Sequence, residues 1–124
     1  MSLYYPGYKK ANRIMAKKIP KKVQLIIDET RVELQNIYAD RLKEVILFGS
    51  YARGDYSSES DIDLFVVLDY LNDLAAEREK YVSAICRISL KYDTVLSVIP
   101  FDYHMFQTKK TPLIMNIQKE GVRV

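Results

Sequence analysis

The 124-residue chain has no tryptophan, one cysteine, one histidine, four glycines and four prolines. A single cysteine, Cys86, excludes an intramolecular disulfide and suits a reducing compartment, so a cytoplasmic location is expected. Cys86 falls within a helical pattern and is expected to pack as a small apolar residue. His104, the lone histidine, has no partner pattern and is read as a surface residue. No apolar run reaches the roughly 18 residues that a membrane span needs, and no apolar h-region follows the basic N-terminus, as a secretory signal would require. There is no repeat and no low-complexity tract. With 48% hydrophobic residues, what remains is one compact domain.

Charge is unevenly spread. Residues 1–22 contain Lys9, Lys10, Arg13, Lys17, Lys18, Lys21 and Lys22 and no acid, whereas the other residues hold 12 basic against 16 acidic side chains. Such an arm, with Tyr4, Tyr5 and Tyr8, suits an acidic partner or nucleic acid. It lacks a nucleic-acid motif, so a solvated terminus is the preferred reading. The chain divides into a basic arm with a short helix, residues 1–20, and a single domain, residues 21–124.

Ala11, Ile14, Met15 and Ile19 suggest that short helix, ending before Pro20. Val23, Ile26, Ile27, Thr30, Leu34, Ile37 and Tyr38 recur at spacings of three and four and predict an amphipathic helix. Lys43 to Phe48 is short and rich in β-branched residues, a buried strand stopped by Gly49. Gly49 to Gly54 reads as a tight turn opening a short helix, Asp55 to Ser60 as a loop, and Asp61 to Leu68 as a second strand. A long helix to about Leu90 would turn Leu74, the Arg78 stem, Tyr81, Val82, Ile85 and either Ile88 or Ser89 inward. Val95 to Pro100 is a third strand, and Phe101 to Gln107 is ambiguous between helix and loop. Thr111 and Pro112 open a last helix with Leu113, Ile114 and Ile117 on its apolar side. Gly121 closes it, and Val122 to Val124 suits an edge strand. The layout is an α/β (α+β) fold, with helices flanking a small mixed sheet.

The chemistry concentrates between Leu47 and Leu68. Residues two apart on a strand point the same way, so Asp61 and Asp63 project together. Two such carboxylates repel and raise one another's pKa unless a cation lies between them. Mg²⁺ suits that place: it takes oxygen ligands, commonly one or two carboxylates plus substrate phosphates. Gly49 has no Cβ to keep a phosphate from the backbone, the short helix after it offers unpaired N–H groups, and Ser50 adds a hydroxyl. Either half alone is commonplace. Together, at this spacing, they describe a phosphate cradle facing a metal site.

The strings Gly49-Ser50-Tyr51-Ala52-Arg53-Gly54 and Ser60-Asp61-Ile62-Asp63-Leu64 resemble the nucleotidyltransferase superfamily that includes DNA polymerase beta. They most resemble its minimal nucleotidyltransferase (MNT) group, found beside HEPN proteins in toxin–antitoxin modules. The resemblance implies that Gly49, Ser50 and Arg53 meet the nucleotide and that Asp61 and Asp63 bind Mg²⁺. It also implies transfer of AMP from ATP to a tyrosine of a HEPN-type helical partner. A nucleotide-binding module that neutralises its partner by binding, and transfer to a small molecule, are the alternatives. The superfamily's third carboxylate sits on the strand after the long helix. By pattern, that place falls on Ser97; Asp93 is the preferred substitute, sharing Ser97's face if the strand extends back that far, Asp102 lies just past the strand, and the alternative is that no residue supplies the third acid.

Overall fold

A computed structural model describes residues 19–124. The expected helix over Ala11–Ile19 and nearly all of the basic arm fall outside them. The domain begins with α1 (Lys21–Tyr38), a 3₁₀ turn (Ala39–Arg41) and β1 (Leu42–Phe48). The short α2 (Ser50–Arg53), β2 (Ile62–Leu68) and α3 (Leu74–Tyr92) follow. The chain ends with β3 (Leu96–Asp102), α4 (Tyr103–Thr108), α5 (Pro112–Glu120) and β4 (Val122–Arg123). The four strands form one mixed sheet in the order β3-β2-β1-β4. β1 is antiparallel to both neighbours, and β2 runs parallel to β3. This is the mixed sheet with flanking helices that the pattern predicts.

Strand alternation sends successive residues to opposite faces. On one face Val45, Leu47, Ile62, Leu64, Val66 and Leu68 meet α1 and α3, and all are buried. On the other Ile46, Phe65 and Val67 meet Phe106 of α4 and Ile114 and Ile117 of α5. β2 is therefore covered on both sides, which explains its near-continuous apolar sequence. α1 buries Val23, Ile26, Ile27, Thr30, Leu34 and Tyr38, as its spacing predicts; the buried Thr30 hydroxyl donates to the Ile26 carbonyl at 2.7 Å. Thr111 caps α5, its Oγ1 accepting from the Ile114 amide at 3.2 Å.

Several expectations need correction. α3 turns Glu77, Tyr81, Ile85 and Ile88 inward, leaving Leu74 and Val82 at 55% and 41% exposure. The helix phase follows an ion pair: Arg41 Nη2 lies 2.6 Å from Glu77 Oε2, and the Tyr38 hydroxyl donates to the Glu77 carbonyl. Burial and its bonds to Arg41 act in opposite directions on Glu77; Arg41 prevails and holds the carboxyl below its ordinary range. Cys86 is exposed rather than packed in the core. Leu113 is exposed too, because the buried side of α5 is set by Ile114 and Ile117. The ambiguous stretch resolves into the end of β3 and α4, where the Asp102 carboxylate caps the helix by accepting from the Met105 amide at 3.0 Å. No helix among the described residues is long and apolar enough to cross a membrane.

Candidate active site

Asp61 stands just before β2 and Asp63 is its second residue. Ile62 and Leu64 point into the α1–α3 core, so Asp63 takes the opposite face, at the end of the strand beyond Phe65. In register it lies between Phe48 of β1 and Ser97 of β3. Asp61 is exposed, whereas Asp63 is half-buried. Burial, then the negative charge of Asp61, pushes the Asp63 carboxyl above its ordinary range, and the Arg53 charge only partly offsets this. Burial and a like charge thus oppose the ionisation of Asp63.

Opposite Asp63 the chain leaves β1 through Gly49, at φ 83° and ψ −154°. A Cβ there would lie 2.7 Å from Asp63 Oδ2, so conformation and contact both demand glycine. The Gly49 carbonyl accepts from the amides of Ala52 and Arg53, and that of Ser50 from Gly54, which closes the turn at φ 90°. The leading amides of such a turn have no acceptor within it, and the Ser50 hydroxyl stands beside them. Arg53 donates from Nε to Asp55 at 3.2 Å and brings Nη1 within 3.9 Å of Glu120 on α5. Behind the turn Tyr51 stacks on Tyr56 with ring centroids 4.7 Å apart, and the Ser57 amide donates to Ser60 Oγ at 2.8 Å. The loop joining cradle to acids is therefore tied at several points. The structure thus brings together Gly49, Asp61, Asp63 and the charge of Arg53, with Ser50 heading the turn.

Asp93 is elsewhere. β3 begins at Leu96, so the condition for Asp93 to share Ser97's face is not met; Asp93 ends α3 in the left-handed conformation, at φ 51° and ψ 54°. Asp102, at the other end of β3, is occupied in capping α4 and in accepting from the Leu71 amide at 3.1 Å. The strand position beside Asp63 belongs to Ser97. Among the described residues, no group of three or more His, Cys, Asp or Glu side chains could hold a metal ion. Asp61 and Asp63 still suit a hard divalent cation, which would relieve their repulsion while phosphate oxygens and water filled its remaining positions. His104 and the Lys109–Lys110 pair are exposed.

Asp63 and Ser97 also line a cleft of about 460 Å³ between β3 and α3, with Arg78 and Cys86 on its helical wall. The sequence pattern placed the Arg78 stem inward but gave no sign of this cleft. Helical periodicity locates a residue on a helix face; it does not reveal that the neighbouring strand is the sheet edge.

Residues 27–124 match the family model described as a nucleotidyltransferase domain. A Methanocaldococcus jannaschii protein with the provisional name protein adenylyltransferase MJ0141 is 40% identical over 99 residues, 80% of this chain and 95% of its own. A second protein of that organism with the same provisional name, MJ0604, is 43% identical over 90 residues, 71% of this chain and 83% of its own. Among solved structures, a chain from a toxin–antitoxin crystal structure with AMP-PNP matches with a TM-score of 0.54 at 21% identity, covering 76% of this chain and 68% of that one. A chain of the complex between tri-AMPylated Shewanella oneidensis HEPN toxin and MNT antitoxin gives 0.53 at 20% identity, covering 81% and 69%. At such identities these two likenesses concern the fold.

Proposed function

The chain belongs to the nucleotidyltransferase domain family, and on that premise we propose that it transfers AMP from ATP to a tyrosine of a helical, HEPN-type partner protein. The observation that carries the proposal is the close approach of the Asp63 carboxylate to the Gly49 turn, beside the negative charge of Asp61. It unites a backbone that a phosphate can approach with two like-charged carboxylates whose repulsion a divalent cation would relieve. The provisional names of the relatives and the toxin–antitoxin fold neighbours support the choice of acceptor.

Asp61 and Asp63 would hold Mg²⁺, which, when bound, offsets charge on the phosphates. The Gly49–Gly54 turn and Ser50 receive the triphosphate, and Arg53 adds a positive charge next to it. The tyrosine oxygen attacks the α-phosphorus and forms the new P–O bond. The bond from the α-phosphorus to the bridging oxygen of the β-phosphate breaks, and pyrophosphate leaves with that electron pair. The phenolic proton passes to solvent: Ser97 can relay it as a hydroxyl, but it cannot keep it as a carboxylate would.

The test is incubation with ATP labelled at the α-phosphate, Mg²⁺ and the HEPN-type partner, followed by peptide mapping. Label is expected on a partner tyrosine and is expected to vanish with Asp61→Asn or Asp63→Asn. A partner that stays unlabelled, or is labelled equally by wild type and Asp63→Asn, rules the proposal out. Ser97, placed where the superfamily has an acid, favours one second reading: a nucleotide-binding module that neutralises its partner by occupying it. That reading predicts neutralisation that persists in Asp63→Asn without any AMP transfer.

A further inference from the structure

We propose that the cleft between β3 and α3 is the acceptor channel, taking an extended polypeptide segment whose tyrosine ring lies in the cleft and whose acidic side chain pairs with Arg78. This rests on the adenylyl-transfer reading and adds to it the place and the charge preference of the acceptor.

Asp63 lies between β1, which leads into the glycine turn, and β3, which borders the cleft. In an in-line displacement the nucleophile and the leaving group occupy opposite sides of the reacting phosphorus. With the leaving pyrophosphate at the Gly49–Gly54 turn, the nucleophile approaches from the β3 side. There the cleft carries Asp63 and Ser97 in its lining.

Shape and charge identify the occupant. A volume of about 460 Å³ falls in the range of ordinary ligand sites and accepts an aromatic side chain with its flanking backbone. Val82 and Ile99 line it at 41% exposure each, an apolar border suited to a tyrosine ring. Arg78 is the cation of the lining, is exposed, and makes no ion pair among the described residues. The Tyr81 hydroxyl reaches the Val98 carbonyl, and Arg78 lies almost one helical turn before Tyr81, toward Pro100. Ser97 and Pro100 are three strand residues apart, about 10 Å at the usual rise. An acid about three residues from the acceptor tyrosine spans that distance in an extended chain.

The same geometry argues against simple addition of a strand to the sheet. β3 is an edge strand, but Pro100 has no N–H to donate, and the Val98 carbonyl already receives the Tyr81 hydroxyl at 3.5 Å. Recognition therefore falls to side chains in the cleft rather than to a backbone ladder.

The experiment uses the full chain with AMP-PNP and Mg²⁺. Its probes are two matched fluorescent peptides, each with one tyrosine flanked three residues away on both sides by glutamate or by lysine. Anisotropy is expected to show the glutamate peptide binding roughly five- to tenfold more tightly, the scale of one exposed ion pair set against one like-charge contact. Arg78→Glu should reverse the order and Arg78→Gln should abolish it, with AMP-PNP affinity unchanged within about twofold on the same scale. Alkylation of Cys86, in the cleft wall, should block the peptide and spare the nucleotide. Equal binding of the two peptides by wild type overturns the proposal. So does a tenfold or greater loss of AMP-PNP affinity in Arg78→Glu, which would mean that the cleft holds nucleotide. With ATP in place of the analogue, AMP on the glutamate peptide supports both readings. Charge-selective binding without transfer supports the channel and overturns the transferase.

Discussion

Asp63 and Glu77 are two acids that the fold takes partly or wholly out of water, and the fold treats them in opposite ways. Glu77 meets Arg41 at 2.6 Å, and the guanidinium also stacks over Tyr70, 4.1 Å from the ring centroid. Asp63 has Asp61 as its charged neighbour on the strand and a glycine pressed against its oxygen. Burial opposes ionisation of both, but only Glu77 has a partner that outweighs it. Glu77 is complete within the chain and holds α3 to the 3₁₀ turn. Asp63 has no partner within the chain that outweighs its burial, and on the proposed function a cation and a nucleotide would use the charge left there. A half-buried acid whose burial no counter-charge outweighs is a better sign of a site than a buried acid as such.

The comparison breaks most forcefully at Arg41. Arg41→Met strands the Glu77 carboxylate and is expected to cost about 3–5 kcal/mol in urea denaturation, with AMP transfer per folded molecule unchanged. Asp63→Asn should do the reverse. Transfer falls by roughly 10²–10³-fold, the scale for removing one preorganised electrostatic contact, while thermal unfolding shows a gain on the order of 1 kcal/mol as a half-buried carboxylate beside a like charge disappears. If Asp63→Asn destabilises instead, the two acids are alike and the contrast fails. Gly49→Ala comes next: a Cβ at φ 83° and 2.7 Å from Asp63 Oδ2 is expected to cost about 1–3 kcal/mol of strain and to weaken AMP-PNP binding.

The subtlest test is pH. The folded pKa of Glu77 lies below its unfolded value, so its contribution is present above the unfolded pKa and is lost as pH falls through the folded one. Asp63 has the opposite sign: its folded pKa is raised, so the folded state binds the proton more tightly and its share of stability is lost as pH rises through that value. Melting curves between about pH 3 and pH 7, bracketing the ordinary carboxylate range, should show wild type and Asp63→Asn converging as the pH falls. Against Glu77→Gln, wild type should lose its advantage over the same descent. Parallel curves for all three proteins would show that neither acid is perturbed.

Much of the candidate site was legible in sequence because its constraints are local. Gly49 is fixed by the conformation of one turn, and the common side of Asp61 and Asp63 by strand alternation. The third position was legible only as a pattern: Leu96-Ser97-Val98-Ile99 fixes a face, but whether Asp93 belongs to it depends on where the strand begins. The chain reverses at Asp93 in a left-handed cap, and β3 starts three residues later. The inward face of α3 departs from its apolar pattern at Leu74 and Val82, both exposed. An acid in an amphipathic helix reads as solvated, and Glu77 is buried by an arginine 36 residues away.

The sequence by itself determined the alternation of elements, the glycine turn, the paired acids and the family, since each depends on neighbours within a few residues. The tertiary structure decided which acids are satisfied. It left Asp63 between a glycine turn and a serine, gave Glu77 its arginine, and made β3 the sheet edge beside a cleft. Those outcomes are set by distances between segments far apart in the chain, where burial and charge act together and no local pattern records the result.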